Sequence, residues 1–350
     1  MSGLTTTAPT KMPALQPLWN AEVDGYVIAL QWSPSGKKLA AASVEGPITI
    51  FDADGAARLT LPGHDFGTTT MAWSSDGQHF ASAGQDGNVI LWDIAARAAK
   101  HTMNGGSAWV EHLAWNPLGG KGGVPYLLAS AAGRKLRLWN ANGELAREYE
   151  DHASTIASIA WKPASQFLTT ASYSRLALYT AGQEKAQRQF EWKGSILKIA
   201  WSPNGKYVAT GDQDSTVHFW FEKTGKDLQM WGYPTKVREL AWDATGRYLA
   251  TGGGVDVTVW DCLNSPEGSK PITLKGHEEF LSVLEFQHRG PLLASAGQDG
   301  RVIVWHPHKD KKPRAGMAIN SAITQLNWSP DDERLAVGTE NGSIVVFSKP

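Results

Sequence analysis

Three side chains that could bind a transition metal follow equivalent apolar runs in two consecutive stretches of the chain. Cys262 follows a short apolar run that ends at Trp260, and His306 and His308 follow a similar run that ends at Trp305. Thiolate and imidazole groups suit zinc, which needs its ligands within roughly 2.0–2.3 Å of the ion. The long segment 262–271 would have to fold across to the two histidines. A zinc site at these three residues is therefore one hypothesis for the chemistry of this chain.

Acid–base catalysis would need carboxylates and imidazoles that converge on one pocket. Glu111 and His112 lie in one apolar run and Glu239 lies in another, but together they form no recognisable catalytic set. The glycines at 252–254 are not followed by a helix that could hold a phosphate, and the sequence has no Walker loop, HExxH motif or paired CxxC. We therefore expect a protein that is not an enzyme and has no cofactor.

A repeated unit positions these residues. Eight times along the chain an aromatic residue ends a short apolar run, at intervals of 40 to 46 residues, and a second aromatic residue follows about nineteen residues later. The first series is Trp32, Trp73, Trp115, Trp161, Trp201, Trp242, Phe286 and Trp328, and the second is Phe51, Trp92, Trp139, Tyr179, Trp220, Trp260, Trp305 and Phe347. One period over nearly the whole chain indicates a single repeated supersecondary unit.

Residues 68–103 show the unit most clearly. TTTMAW, QHFASAG and NVILWD read as short strands separated by the turn signals SSDG and QDG, and ARAAKHTM supplies a weaker fourth strand. A sheet of four short antiparallel strands cannot bury its apolar side alone. Stacking such sheets around an axis buries that side, and closing the ring removes the stacking ends. The two aromatic series are then the large apolar residues packed between neighbouring sheets.

Two segments carry a resemblance to a known family. Residues 82–93 (SAGQDGNVILWD) and 295–306 (SAGQDGRVIVWH) resemble the second half of a WD repeat, and Gly63-His64 and Gly276-His277 match the GH pair of that family. The resemblance covers nearly the whole chain and implies a β-propeller. It is specific for the fold and not for any one function.

The resemblance also implies a polar network of His, Ser or Thr, Asp and Trp within each unit. Two sets are complete: His64, Ser82, Asp86 and Trp92, and then His277, Ser295, Asp299 and Trp305. Other units are partial, with Tyr173 at the Asp position of the fourth unit and Trp192 and Tyr233 at the His positions of the fifth and sixth. Because the same set recurs in unrelated loops, we interpret it as structural and not as catalytic.

The predicted fold is all-β: a single closed propeller of eight four-stranded antiparallel blades. The eighth unit ends after its third strand, so we expect the N-terminal segment around 14–19 to complete the last blade and to cover its edge. The predicted domain spans 14–350, after a flexible tail at 1–13. A seven-bladed ring with one unit outside it is the alternative.

Composition excludes several classes of function. The formal net charge of −1 argues against a protein whose main task is to bind nucleic acid. The single cysteine excludes an internal disulfide, and no apolar run approaches the length of a membrane span. We expect a cytoplasmic protein that binds neither nucleic acid nor membranes.

The family resemblance implies that partners bind the face with the outer-to-inner loops. At the corresponding positions the sequence has Tyr26, Ile28, Trp109, Glu111, Leu197, Lys236, Arg238 and Phe280. Exposed aromatic residues beside arginine are typical anchors of protein interfaces. The insertions at 116–126, 262–271 and 306–316 project from the opposite face, which is the alternative binding face.

These observations favour a scaffold or adaptor that brings proteins together, as a monomeric disk within a complex. The alternative is a metal-linked accessory protein that uses Cys262, His306 and His308.

Overall fold

The computed structural model describes residues 12–263, 268 and 270–350. These residues form thirty β-strands and one short 3-10 helix, Lys121–Gly123, so the predicted all-β class is confirmed. Within this described part of the chain, no helix is long and apolar enough to cross a membrane.

Strand β1 (Pro17–Glu22) precedes the first repeated unit, and the remaining strands follow the units in order. The first three sheets are β2 (Val27–Trp32), β3 (Lys38–Ser43), β4 (Ile48–Asp52) and β5 (Arg58–Leu61); β6 (Thr68–Trp73), β7 (Phe80–Gly84), β8 (Asn88–Asp93) and β9 (Ala98–Asn104); and β10 (Val110–Trp115), β11 (Leu127–Ala132), β12 (Lys135–Asn140) and β13 (Leu145–Glu148).

The next sheet has six strands, and three four-stranded sheets follow it. They are β14 (Ser158–Trp161), β15 (Leu168–Tyr179), β16 (Arg188–Trp201), β17 (Tyr207–Asp212), β18 (Val217–Phe221) and β19 (Asp227–Met230); β20 (Leu240–Trp242), β21 (Tyr248–Thr251), β22 (Val257–Asp261) and β23 (Ile272–Leu274); β24 (Leu281–Phe286), β25 (Leu293–Gly297), β26 (Arg301–Trp305) and β27 (Pro313–Ala318); and β28 (Ile323–Trp328), β29 (Arg334–Thr339) and β30 (Ser343–Ser348) with β1.

The prediction of eight separate four-stranded blades is wrong: the described strands pair into a propeller of seven sheets. Strand β16 pairs with β15 through Arg188–Glu191 and with β17 through Ile196–Trp201. The fourth and fifth sequence units therefore share one six-stranded sheet. The physical reason is that the outer strand of the fourth unit runs on into the first strand of the fifth, whereas a loop separates these two strands between the other units. The alternative with a unit outside the ring does not describe this arrangement, because every unit is paired into a sheet.

The first strands of the units surround the central axis, and the fourth sheet contributes two of them, β14 and part of β16. Each contacts the next, and β28 contacts β2, so the ring is closed. The indoles of the first aromatic series join neighbouring units. Trp115 donates from Nε1 to Ala72 O at 3.2 Å, and Trp161 donates in the same way to Ala114 O at 2.9 Å. At the closure, Trp32 Nε1 donates to Asn327 O at 3.1 Å.

The predicted pairing of the two chain ends is present, at a position three residues later than expected. Strand β1 lies antiparallel to β30, with Trp19 opposite Val346 and Ala21 opposite Ile344. The Trp19 indole also donates to Ala53 O at 3.0 Å and so reaches the first unit. The N-terminal strand thus covers an edge of β30 and binds both ends of the ring together.

The predicted flexible tail at 1–13 lies outside the described residues except for Met12 and Pro13. The Met12 side chain packs against the apolar cluster that contains Trp305. The domain boundary at residue 14 stays a prediction.

Candidate partner-binding face

The antiparallel order of the strands sorts the connections onto two faces. Connections from an outer strand to the next inner strand, and turns between second and third strands, lie on one face, which we call the loop face. Turns between first and second strands, and connections from third to outer strands, lie on the other, which we call the insertion face. The described parts of the three insertions leave from the insertion face.

The structure places the eight predicted binding residues at the start of inner strands or in the loops before them. Six are exposed, and the list is Tyr26, Trp109, Glu111, Lys236, Arg238 and Phe280. Ile28 and Leu197 are half-buried, and Ile28 packs against the core of the first two units. Trp109 is the most open of the three aromatic residues, with 54% of its surface exposed.

Two further aromatic residues in the loops between outer and inner strands were missed by the sequence reasoning. Phe66, in the loop before β6, is 85% exposed, and Trp231, in the loop before β20, is 77% exposed. Phe66 also has φ of 64°, the left-handed region that a bulky residue rarely adopts. Neither residue occupies a position that the family resemblance assigns to binding. Trp231 did carry a signal, because it is one of only four tryptophans outside the two aromatic series.

Large exposed apolar side chains concentrate on the loop face. Among the described residues ten such side chains are exposed, and seven of these lie on this face: Tyr26, Phe66, Trp109, Tyr173, Trp231, Val255 and Phe280. Of the other three, Leu18 and Leu145 lie on outer strands and Leu263 follows a third strand. Large contiguous apolar patches mark interaction sites on soluble proteins, so the face that carries most of these side chains is the candidate site.

Ionisable side chains occupy equivalent positions of three inner strands: His112 on β10, Lys198 on β16 and Glu239 just before β20. Burial lowers the pKa of His112 to about 4, and the positive charge of Lys198 acts in the same direction. The Lys198 side chain is exposed, but desolvation by the surrounding protein lowers the pKa of its ammonium group. The negative charge of Glu239 acts against this shift. Glu239 accepts a hydrogen bond from Gly253 N at 3.0 Å. Glu111 is exposed, so the residues considered for acid–base chemistry do not share one pocket environment.

The two complete polar sets form continuous hydrogen-bonded chains. In the second unit His64 Nδ1 lies 3.0 Å from Asp86 Oδ1 and His64 Nε2 lies 2.7 Å from Ser82 Oγ, which also accepts from Trp92 Nε1 at 2.7 Å. The seventh unit repeats this arrangement, with 3.2 Å from His277 Nδ1 to Asp299, 2.8 Å from His277 Nε2 to Ser295 Oγ and 2.8 Å from Trp305 Nε1 to the same hydroxyl. These contacts tie the loop face to the buried strands.

The sixth unit uses a tyrosine in place of the histidine. Tyr233 OH lies 2.8 Å from Thr251 Oγ1 and accepts from Trp260 Nε1 at 2.9 Å. Burial raises the pKa of Tyr233 to about 12, so the hydroxyl stays protonated. Asp256 takes no part in this chain, and its carboxylate lies 4.0 Å from Lys275 Nζ.

The proposed metal ligands are not brought together. The rings of His306 and His308 lie 5.9 Å apart, and His308 stacks on Tyr248 at 4.2 Å. Cys262 is buried, which raises the pKa of its thiol to about 12. Within the described ranges no group of three or more His, Cys, Asp and Glu side chains has the geometry to hold a metal ion.

Comparison with protein families gives matches to one model. The model for the WD domain, G-beta repeat, matches residues 55–93, 143–178, 185–220, 268–306 and 317–348, which together make up more than half of the chain. The matches at 143–178 and 185–220 cover most of the fourth and fifth units, which share one sheet.

Several characterised proteins are similar to this chain. Protein HIR1 of Kluyveromyces lactis is 22% identical over 90% of this chain and 40% of its own length. The anaphase-promoting complex subunit cdc20 of Dictyostelium discoideum is 33% identical over 32% of this chain and 23% of its own length. The chromatin assembly factor 1 subunit FAS2 homolog of Oryza sativa subsp. japonica is 31% identical over 32% of this chain and 23% of its own length. The chain spans less than half of the length of each of these relatives.

Among solved structures, the computationally designed protein Ika8 superposes with a TM-score of 0.81 at 19% identity, covering 95% of this chain and 100% of Ika8. At this identity the likeness concerns the fold alone.

Proposed function

The chain belongs to the WD-repeat family, and from this premise we propose that it is a non-enzymatic scaffold that binds partner proteins through its loop face. Proteins of this family that resemble the chain include named subunits of the anaphase-promoting complex and of chromatin assembly factor 1. The names of these two relatives support work within a protein assembly for this chain, and they do not give its particular partner.

The observation that carries the choice of face is the concentration of exposed apolar side chains. Five aromatic residues stand in loops that lead from an outer to an inner strand: Tyr26, Phe66, Trp109, Trp231 and Phe280. A rigid ring presents them without further ordering, which reduces the entropic cost of binding. Lys236 and Arg238 supply exposed positive charge beside them, and Arg is enriched at interface hot spots.

The insertion face offers less apolar surface. Its described insertions expose one large apolar side chain, Leu263, and they also carry the exposed charges of Lys121 and Lys311. Solvated charges at the edge of an interface contribute little affinity. We therefore place the partner on the loop face, and no specific observation favours the metal-linked alternative. A cytoplasmic location and a monomeric state within a complex stay predictions.

The test begins with capture of partners from the native cell on the immobilised protein, followed by identification of the bound protein. Dissociation constants for that purified partner are then measured with Trp109→Ala and Arg238→Ala. Each substitution should weaken binding by at least about 1 kcal/mol, which is about fivefold, because aromatic and Arg anchors carry most interface energy. Their melting temperatures should stay near that of the parent, because exposed residues contribute little to folding.

Matched variants on the insertion face serve as controls. Leu263→Ala removes an exposed apolar side chain, and Lys121→Glu and Lys311→Glu reverse exposed charges. These three should leave the dissociation constant unchanged within about twofold. If the insertion-face variants abolish binding while Trp109→Ala and Arg238→Ala do not affect it, the loop face is the wrong assignment.

A further inference from the structure

Three adjoining units present a loop face without positive charge. On this face the eighth, first and second units have the loops 319–322, 340–342, 23–26, 44–47, 62–67 and 85–87. These loops contain no lysine or arginine. They expose the carboxylates of Asp24, Glu45, Asp65 and Glu340. None of these carboxylates has a hydrogen bond or an ion pair among the described residues.

Backbone contacts join these loops into one surface. Val44 N donates to Tyr26 O at 2.9 Å, and Val23 N donates to Gly342 O at 3.0 Å. A Cβ added to Gly67 would overlap Val44 O, so the loop of the second unit lies directly on that of the first. Burial, and then the negative charge of Glu340, raise the pKa of Tyr26, so this carboxylate lies near the phenol ring. The exposed carboxylates are therefore neighbours across three units.

Two exposed aromatic rings stand among them. Phe66 directly follows Asp65 and is 85% exposed, and Tyr26 is 40% exposed. The φ of 64° at Phe66 strains the backbone, and strain of this kind is found most often at functional sites. An exposed ring on a strained backbone does not help folding, so its contact with a partner is the better reason for its presence. We call the surface formed by these two rings and the carboxylates of Asp24, Glu45, Asp65 and Glu340 the acidic arc.

Several loop-face carboxylates of other units are neutralised within the chain. Asp151 pairs with Lys135 at 2.6 Å, and Glu278 pairs with Arg301 at 2.6 Å. The loops of the acidic arc supply no such cation. Like charges on adjoining loops create a negative potential that attracts a positively charged ligand. The missing cation is therefore expected from outside the chain.

The arrangement favours a basic protein segment over a metal ion. Within the described ranges no group of three or more acidic, histidine or cysteine side chains has the geometry to hold a metal. The carboxylates are instead distributed over the loops of three units, with aromatic rings between them. A guanidinium group stacks on an aromatic face and binds a carboxylate through two parallel hydrogen bonds. An extended segment with several arginines reaches carboxylates of neighbouring units at once.

We propose that the acidic arc binds an arginine-rich segment of a partner protein, with guanidinium groups stacked on Phe66 and Tyr26 and paired with the carboxylates around them. The inference rests on the proposed function, because it names the chemistry of a partner that the loop face binds. It also assigns this segment to the eighth, first and second units, apart from Arg238 in the sixth.

The experiment measures binding of a fluorescein-labelled octapeptide of Arg-Gly repeats to the full chain by fluorescence anisotropy. The same peptide with citrulline in place of arginine keeps the shape and loses the charge. The arginine peptide should bind saturably at about 50 mM salt and at least about tenfold more tightly than the citrulline peptide, because charge-assisted hydrogen bonds are the stronger ones. Binding should weaken at about 300 mM salt, because ions screen exposed charges.

Matched charge variants locate the peptide on the ring. Glu45→Gln combined with Asp65→Asn removes two charges from the acidic arc and should weaken binding at least about fivefold, because each exposed ion pair contributes modestly. The control combines Glu150→Gln with Glu279→Gln, which removes the same charge from exposed residues of the loop face outside the arc. This control should leave the dissociation constant unchanged within about twofold.

A second matched pair tests the aromatic contact. Phe66→Gly removes the ring and should weaken binding at least about fivefold, the usual effect of losing an aromatic anchor. Glycine adopts a positive φ readily, so the melting temperature should stay near that of the parent. Trp231→Ala removes an exposed ring outside the arc and should leave peptide binding unchanged.

Three results would overturn the proposal: no saturable binding of the arginine peptide, equal binding of the citrulline peptide, or equal losses for the two pairs of charge variants. The proposed function would survive these results, because the captured partner with Trp109→Ala and Arg238→Ala tests it separately. A captured partner that responds to no loop-face variant would refute the proposed function, whereas specific peptide binding would still establish the acidic arc as an arginine site.

Discussion

Asp86 offers the sharpest test of how the loop face is held to the core. Its carboxylate accepts from His64 Nδ1 at 3.0 Å and from Asn88 N at 2.9 Å. Burial raises the pKa of Asp86, but the Asn88 N–H and the charge of His64 more than offset this and hold it below the ordinary value. The ionised form is thus preferred in the folded protein. Asp86→Ala removes the acceptor that His64 Nδ1 has among the described residues, and the His64 side chain is 0% exposed.

The expected loss follows from the group left behind. The His64 N–H is left without an acceptor, and an unsatisfied buried donor costs about 1–3 kcal/mol. Asn88 is half-buried, so its N–H can form a hydrogen bond with water instead. Asp256 is the matched control because it stands in the turn of another unit but makes a single 4.0 Å contact, to Lys275, with its side chain 36% exposed. Asp256→Ala should therefore cost roughly 0–1 kcal/mol, the usual value of a surface ion pair.

Urea unfolding followed by tryptophan fluorescence measures both losses. For a chain of 350 residues, an unfolding entropy of about 2.1 cal/mol/K per residue converts the Asp86→Ala loss into a fall of only about 1–4 °C in melting temperature, so the denaturant midpoint is the better readout. Asp86→Asn keeps an acceptor without the charge and should lie between the parent and the alanine variant. Equal losses for Asp86→Ala and Asp256→Ala would refute the reasoning. They would mean that the buried hydrogen-bonded chain stabilises the protein no more than a surface ion pair does.

Two other results follow from the described contacts. Deleting residues 1–20 removes most of β1 and the Trp19 contact to Ala53, so the edge of β30 becomes exposed. Calorimetry should then show a lower melting temperature, and light scattering should show aggregation. An unchanged melting temperature would count against closure by the N-terminal strand. Burial lowers the pKa of His112 to about 4, so the unfolded chain takes up a proton near pH 6.5 and the folded chain does not. The free energy of unfolding should therefore fall between about pH 6.5 and 4, and His112→Asn should reduce that slope in urea titrations at several pH values; an unaltered slope would contradict the assignment.

The sequence by itself determined the repeated unit and its class. Aromatic residues at a fixed period can be read without coordinates because each must be buried between neighbouring sheets, and turn residues between short strands leave few other folds. The recurring His, Ser, Asp and Trp positions likewise predicted which atoms meet in the second and seventh units. The pairing of the chain ends could be inferred because the eighth unit lacked an outer strand.

Only the tertiary structure decided how units become sheets and which side chains stay exposed. The sequence period gives the number of units, but backbone hydrogen bonds determine which strands form one sheet. The long strand β16 pairs with strands of two units that the period separates. Exposure of Phe66 and Trp231 depends on loop geometry that no repeat position encodes. The buried His152 of the fourth unit is a further tertiary property: its Nδ1 has no hydrogen-bond partner among the described residues, and Tyr173, at the aspartate position of that unit, is exposed. The periodic positions specify which side chains must be buried, and the folded structure determines which side chains stay exposed to a partner.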